Sequence, residues 1–235
     1  MTSPIETQLY IGGQARPAEG GKTYDVFNPA RPTELVGRSA DASVKDCEEA
    51  LQAATAAGPA WAGLSYHERG DYLKKVAQIL SQDEDDIKAR AHLFTREHGK
   101  TLMETNIEMG RINTRFEHTA TWADQLAAEE TINGTMFNTR VTYSPRGVST
   151  LIVPWNWPVA ILGSKLPHAL MAGNTVIVKL SEFSSLAPAL TLFKIAEALP
   201  AGVVNVITGD GTVIGDTLTG HKLVKQVNFT GSVRI

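Results

Sequence analysis

Ser144-Pro145-Arg146-Gly147-Val148, followed after Ser149-Thr150 by Leu151-Ile152-Val153-Pro154-Trp155-Asn156-Trp157-Pro158, sets the character of this chain. The apolar run that starts at Val148 empties into a corner bracketed by Pro154 and Pro158. Proline has no N–H for a sheet ladder, so a strand here must stop where the prolines begin. The corner holds a polar side chain, Asn156, between Trp155 and Trp157. An amide N–H fixed in such a place can donate to a developing negative charge, which lowers a barrier strongly in an apolar site. The same residues also read as a Trp-rich strand end packed in a core.

Beyond the corner the sequence alternates. Val148–Val153, Thr175–Lys179, Val203–Thr208 and Gln226–Thr230 are short β-branched runs separated by helical patterns. This is the signature of a parallel sheet with right-handed crossovers. Ligands of such sheets bind beyond the carboxyl ends of the strands. Those ends carry Asn156, then Lys179 and Glu182, then Gly209, then Gly231 and Ser232. Gly209-Asp210-Gly211 with Gly215 resembles a dinucleotide fingerprint, but no acidic residue follows between His221 and Ile235 to hold a ribose. Turn and close-packing roles suit these glycines better. The carboxylate at a strand end is Glu182, three residues after Lys179. A carboxylate accepting from two ribose hydroxyls and an ammonium donating to them is one use of that pair. A solvated surface ion pair is the other.

Upstream, Leu9-Tyr10-Ile11, Gly12-Gly13, Gly20-Gly21 and Thr23–Phe27 read as a small antiparallel meander ended by Asn28-Pro29. Ser43 with Asp46 predicts a capped helix whose apolar face includes Cys47, read as a core thiol rather than a reactive one. Helical periodicity continues over Ser65–Ser81, Glu84–Glu97 and Lys100 to about Ala128. Asn133-Gly134 and the alternation of Thr139–Tyr143 predict a hairpin. A lone two-stranded ribbon is marginal in water, so an arm of this kind is expected to pair with another subunit or domain.

Composition narrows the classes. With 235 residues, 43% hydrophobic and 20% charged, the chain is long enough for a substantial core. A net charge of −3 gives no electrostatic reason to expect nucleic acid or an anionic membrane as partner. Met1–Glu6 has neither basic nor apolar signal character, and no apolar run spans a bilayer. A single cysteine excludes an internal disulfide framework, and the expected compartment is the cytoplasm. Gly21-Lys22-Thr23 lacks the earlier glycine of a phosphate loop, which would fall at Arg16. The histidines show no metal-site spacing, and no metal is expected.

The run SPRGVSTLIVPWNWPVAILGSKLPHALMAGNTVIVKLSE, then LPAGVVNVITGDG and VNFTGS, resembles the aldehyde dehydrogenase superfamily, and the likeness extends over essentially the whole chain. It implies an α/β fold: an incomplete Rossmann-like parallel sheet with N-terminal helices, a small antiparallel β meander and an arm. The implied division is a meander and helical part over 1–128, the oligomerisation arm over 129–145 and a βαβ nucleotide-binding core over 146–235. The catalytic domain is expected to be absent from this chain.

By the same resemblance Asn156 donates to the oxyanion of a thiohemiacetal. Ile152, Pro154 and Trp155 line the cofactor cleft, and Lys179 and Glu182 bind the adenine ribose. Gly211 joins the cofactor contacts, and Phe229, Thr230, Gly231 and Ser232 form the pyrophosphate turn. Trp157, Ile161 and Ser164 line the aldehyde tunnel. Trp157 and Ser164 replace a phenylalanine and a bulky aromatic common in relatives, Leu180-Ser181 replaces a proline-rich continuation, and Val233 replaces a threonine. The cofactor implied is NAD, with NADP possible, because a carboxylate at Glu182 repels a 2′-phosphate. The partners implied are a small-molecule aldehyde and copies of the same chain in a homodimer or homotetramer. The nucleophilic cysteine and general-base glutamate of relatives lie downstream of the FTGS turn, so this chain alone is expected to be inactive. Two alternatives stay open: a short non-catalytic nucleotide-binding or interaction module, and an NADPH-dependent acyl-phosphate or acyl-CoA reductase.

Overall fold

The structure, a computed structural model, describes residues 4–128 and 130–232. The chain opens with β1 (Ile5–Thr7), β2 (Leu9–Ile11), β3 (Gln14–Arg16), β4 (Thr23–Asn28) and β5 (Arg31–Ala40). Helices α1 (Val44–Ala62), α2 (Tyr66–Ser81), α3 (Glu84–His98), α4 (Leu102–Ala120) and the short α5 (Ala123–Ala127) follow. Next come the hairpin β6 (Glu130–Asn133) and β7 (Asn138–Val141). The last part alternates: β8 (Val148–Ile152), α6 (Pro158–Gly163), α7 (Leu166–Met171), β9 (Thr175–Lys179), α8 (Leu186–Glu197), β10 (Val204–Ile207), α9 (Gly211–Gly220) and β11 (Val224–Phe229).

The central sheet has the order β11-β8-β9-β10-β2-β3, and its first four strands are parallel. Both faces are covered, so β9 and β10 are buried throughout. Successive side chains of a strand point to opposite faces. Val176 and Val178 accordingly join the core beneath α2, α3 and α8, with Leu73, Val76, Phe94 and Leu192. Ile177 and Ile207 join the opposite core, with Cys47, Leu51 and Ala54 of α1 and Ile214 and Leu218 of α9. Each fully buried aliphatic side chain contributes about 1.5–3 kcal/mol.

The residues read as one meander divide between two sheets. β2 and β3 form a hairpin that adds antiparallel to the edge of β10, whereas β4 pairs with β5, and β1 lies parallel to β5 in a separate three-stranded sheet. The ten residues of β5 carry Gly37 and Pro32, which weaken any strand pattern. The segment read as one helix from Lys100 to Ala128 is two, broken at Thr121–Trp122. There the hydroxyls of Thr119 and Thr121 donate to the carbonyls of Arg115 and His118, a local competition that helix ends favour. Capping boxes start α1 (Ser43/Asp46), α2 (Ser65/Glu68) and α4 (Thr101/Glu104). β6 and β7 pair only with each other among the described residues, and Ile132, Met136, Phe137 and Tyr143 on or beside this ribbon are exposed.

Strand register places the site. Phe229 lies opposite Ile152, Ile152 opposite Lys179, and Lys179 opposite Ile207, so four strands end in one row. The row is sealed one residue further on. Thr230 N donates to Ile152 O (3.1 Å), Val153 N to Lys179 O (3.2 Å) and Leu180 N to Ile207 O (3.1 Å).

Candidate functional site

Past Val153 the chain turns outward through half-buried Pro154 to Trp155 and Asn156, both exposed. The Asn156 side-chain oxygen accepts from the backbone N–H of Trp157 at 3.0 Å. That bond occupies the acceptor end of the amide and leaves its NH2, a donor pair, without a partner among the described residues. Trp157 then hands over to α6, with Pro158 in its first turn where a missing N–H costs nothing. The free N–H groups of Val159 and Ala160 donate to one carboxylate oxygen of Glu108, at 2.8 and 3.0 Å, from α4. The other oxygen of this buried carboxylate pairs with the ammonium of Lys100, which lies 3.6 Å from the centre of the Trp157 ring. An ion pair, a helix start and a cation–π contact thus hold the residue next to Asn156. Trp155 packs against His98 with ring centres 5.6 Å apart. Burial, then the neighbouring Lys100, holds the His98 imidazole below its usual value.

The second loop leaves β9. Lys179 Nζ lies 3.2 Å from Glu182 Oε2, with the lysine head nearly buried and the carboxylate 38% exposed. A cation shielded on one side and a carboxylate open on the other leave acceptor capacity facing solvent. The helix behind this loop, α8, is started by another buried carboxylate. Glu97, the penultimate residue of α3, accepts from Ser185 N (3.0 Å), Leu186 N (2.7 Å) and Ala187 N (2.8 Å). Burial outweighs those donors and pushes its carboxyl up to about 7. A cleft of about 470 Å³ runs between Phe27, His98, Trp155 and Phe183, with Glu97 and Glu182 on its wall.

The third loop follows β10. Gly209 has φ +143°, and a Cβ there would come within 2.9 Å of Ala42 N, so glycine lets the strand end dock on the chain entering α1. Thr208 fixes the same approach by donating to Ala40 O at 2.7 Å. Asp210 caps α9 through Thr212 N and Oγ1, both at 2.8 Å, and these bonds hold its carboxyl below the usual range. A Cβ on Gly211 would stand 3.4 Å from Lys179 Nζ, so the second and third loops touch.

The fourth loop, Thr230-Gly231-Ser232, closes the row. Lys165, between α6 and α7, donates to Thr230 Oγ1 and ties the Asn156 side of the site to this turn. Phe229 lies against Gly231 so closely that any Cβ there would enter its ring. Val233 lies outside the described residues.

The structure brings together the strand-end candidates Ile152, Pro154, Trp155, Asn156, Lys179, Glu182, Gly211, Phe229, Thr230, Gly231 and Ser232 along one edge. Trp157, Ile161 and Ser164 lie on or beside α6. Ser164 is exposed and turns its hydroxyl back to Ile161 O at 2.8 Å. Cys47 is fully buried on α1, and burial pushes its thiol up to about 12, as a core residue requires. No cluster of three or more metal-ligating side chains occurs among the described residues. Glu97, Lys100, Glu108 and Lys165 escaped the sequence reading. Their partners are remote in the chain, and the one available signal was two glutamates on helices otherwise read only for periodicity.

The aldehyde dehydrogenase family model matches residues 16–235. The chain is 35% identical to an alpha-ketoglutarate semialdehyde dehydrogenase of Haloferax volcanii, with 100% of this chain aligned to 48% of that protein. It is 38% identical to an alpha-ketoglutaric semialdehyde dehydrogenase of Bacillus subtilis, over 96% of this chain and 46% of the other. A solved NAD-dependent aldehyde dehydrogenase from Sinorhizobium meliloti superposes with a TM-score of 0.89 at 32% identity, over 97% of this chain and 46% of that one. The chain belongs to the aldehyde dehydrogenase family. It spans about half the length of the curated relatives it matches. Among the described residues no helix is long and apolar enough to cross a membrane.

Proposed function

We propose that this chain supplies the dinucleotide-binding half of an NAD(P)-dependent aldehyde dehydrogenase, together with the amide that steadies the oxyanion. The observation that carries the reading is the single row of strand ends, which sets the donor amide of Asn156 and the Lys179–Glu182 pair along one edge. Glu182 and Lys179 would hold a ribose diol, with Gly211 beside them where a side chain would crowd the ammonium. The Gly231–Ser232 end of the last turn, past the Thr230 N–H that the sheet uses, would meet the pyrophosphate with backbone N–H groups. When bound, the dinucleotide supplies a hydride acceptor. Ile152, Pro154 and Trp155 give one wall of that cleft, and Trp157, clamped under Lys100, holds Asn156 in place for an aldehyde oxygen. The fixed acceptor end of the amide spares the donor end any reorganisation as charge develops. The attacking thiol and the base that completes hydrolysis are assigned to residues outside this chain, because Cys47 is buried and protonated between α1 and the sheet. A soluble homo-oligomer joined through β6–β7 and a cytoplasmic location accompany the reading.

Glu182 favours NAD over NADP, since its exposed carboxylate stands where a 2′-phosphate would add negative charge. The test is fluorescence titration of the chain with NADH and NADPH. Saturable NADH binding, at least tenfold tighter than NADPH and levelled by Glu182→Gln, is expected. Absence of saturable binding of either dinucleotide would overturn the assignment. Two relatives are named for a semialdehyde, a molecule with a carboxylate at the end opposite its aldehyde.

A further inference from the structure

The stripe of α4 that faces α6 begins with Glu108, whose carboxylate takes the N–H groups of Val159 and Ala160. One turn further along the same face comes Arg111, and one turn beyond it Arg115. Arg115 crosses the other end of α6: a Cβ on Gly163 would approach its Cγ to 3.1 Å and Ile112 Cγ1 to 3.7 Å. The two helices therefore run side by side from the start of α6 toward Ser164, and Ile161 and Ser164, which the family resemblance assigns to the aldehyde tunnel, lie on or beside α6.

Both arginines are exposed, and neither has an ion-pair partner among the described residues. The nearest acidic group on their face, Glu108, is consumed by Lys100 and by the start of α6. Two like charges one helical turn apart are disfavoured in an isolated helix. No ion pair among the described residues offsets these two charges. Glycine at 163 admits the aliphatic stem of Arg115 against α6, which fixes the base of the guanidinium while leaving its head in solvent. Ser164, small and exposed at the end of α6, turns its hydroxyl back to Ile161 O at 2.8 Å. Each guanidinium presents a fork of N–H donors that matches a carboxylate. From Trp157 to Gly163 the axis of α6 advances about 9 Å. That distance suits a short chain with an aldehyde at Asn156 and an anion between the arginines.

We propose that Arg111 and Arg115 form a carboxylate-binding site at the mouth of the aldehyde tunnel, which selects short aldehydes bearing a carboxylate at the far end. The inference deepens the dehydrogenase reading and rests on it. The test is calorimetric titration of the chain with glutarate, which carries a carboxylate for the arginines, and with pentanamide, which has the same length and no carboxylate. Glutarate is expected to bind at least tenfold more tightly than pentanamide, with the margin shrinking as salt rises. Arg111→Gln and Arg115→Gln should each remove most of that margin, and Arg115→Lys should restore only part of it. Equal binding of glutarate and pentanamide by the wild type, or a margin that survives both glutamine variants, would overturn the proposal. NADH titrated into the wild type in parallel judges the parent reading separately. A glutarate margin without NADH binding would keep the carboxylate site and remove the dehydrogenase assignment.

Discussion

Replacing Glu97 with glutamine should flatten the dependence of stability on pH. Glu97 is 3% exposed, and its two oxygens take three N–H groups at the start of α8. Burial raises its carboxyl from 4.5 to about 7, even against those donors. The sign follows from linkage: between these values the folded state binds the proton more tightly than the unfolded chain does. The contribution is therefore whole below about pH 4.5 and lost as pH rises through about 7. A gap of that size is worth about 3 kcal/mol. His98 acts in the opposite direction, because its lowered value makes stability rise with pH toward 6.5. The informative quantity is the difference between wild type and Glu97→Gln, in which His98 is common to both. The carboxyls of Glu34, Glu68, Glu104 and Asp210, held low by hydrogen bonds, act below this window. Urea unfolding followed by tryptophan fluorescence at half-unit steps from pH 5 to 8 reads the effect. The wild type should lose about 2.5 kcal/mol relative to the variant across that range. Parallel profiles for the two proteins would refute the claim that burial dominates at this carboxylate.

Other perturbations probe the remaining supports. Glu108→Ala strands the buried Lys100 ammonium and two N–H groups of α6, and should cost about 3–5 kcal/mol in urea unfolding. Gly209→Ala should destabilise by about 2 kcal/mol or more, because φ is +143° and the new methyl meets Ala42 N at 2.9 Å. Gly110→Ala, inside α4 with open space around it, should instead stabilise by up to about 1 kcal/mol by thermal melt. Cys47 should resist a thiol reagent at pH 8 in the native protein and react fully in urea, since burial holds it protonated to about 12.

Much of the architecture was legible because it depends on local pattern. The runs read at 148–153, 175–179 and 203–208 hold the buried strands β8, β9 and β10, legible because a strand covered on both faces must be apolar throughout, whereas the run read at 226–230 is the largely exposed edge strand β11. The capping box at Ser43 and the turn at Asn133-Gly134 were equally visible, each being a bond between near neighbours. The course of the meander was not. β2 finds its partner in β10, and β4 in β5, and no local signal distinguishes those pairings from a single hairpin series.

The sequence by itself determined the parallel β/α alternation, the proline-bracketed corner and the kinds of side chain standing at the strand ends. Backbone sterics and hydrophobic period act over a few residues, so they leave a written trace. Tertiary structure alone decided which strand ends share a row, that Glu108 fastens α6 51 residues away, and that Glu97 fastens α8 88 residues away. It also decided that the stem of Arg115 packs against Gly163 of α6. Contacts of that kind depend on where whole helices pack, and a buried carboxylate reads in sequence the same as an exposed one.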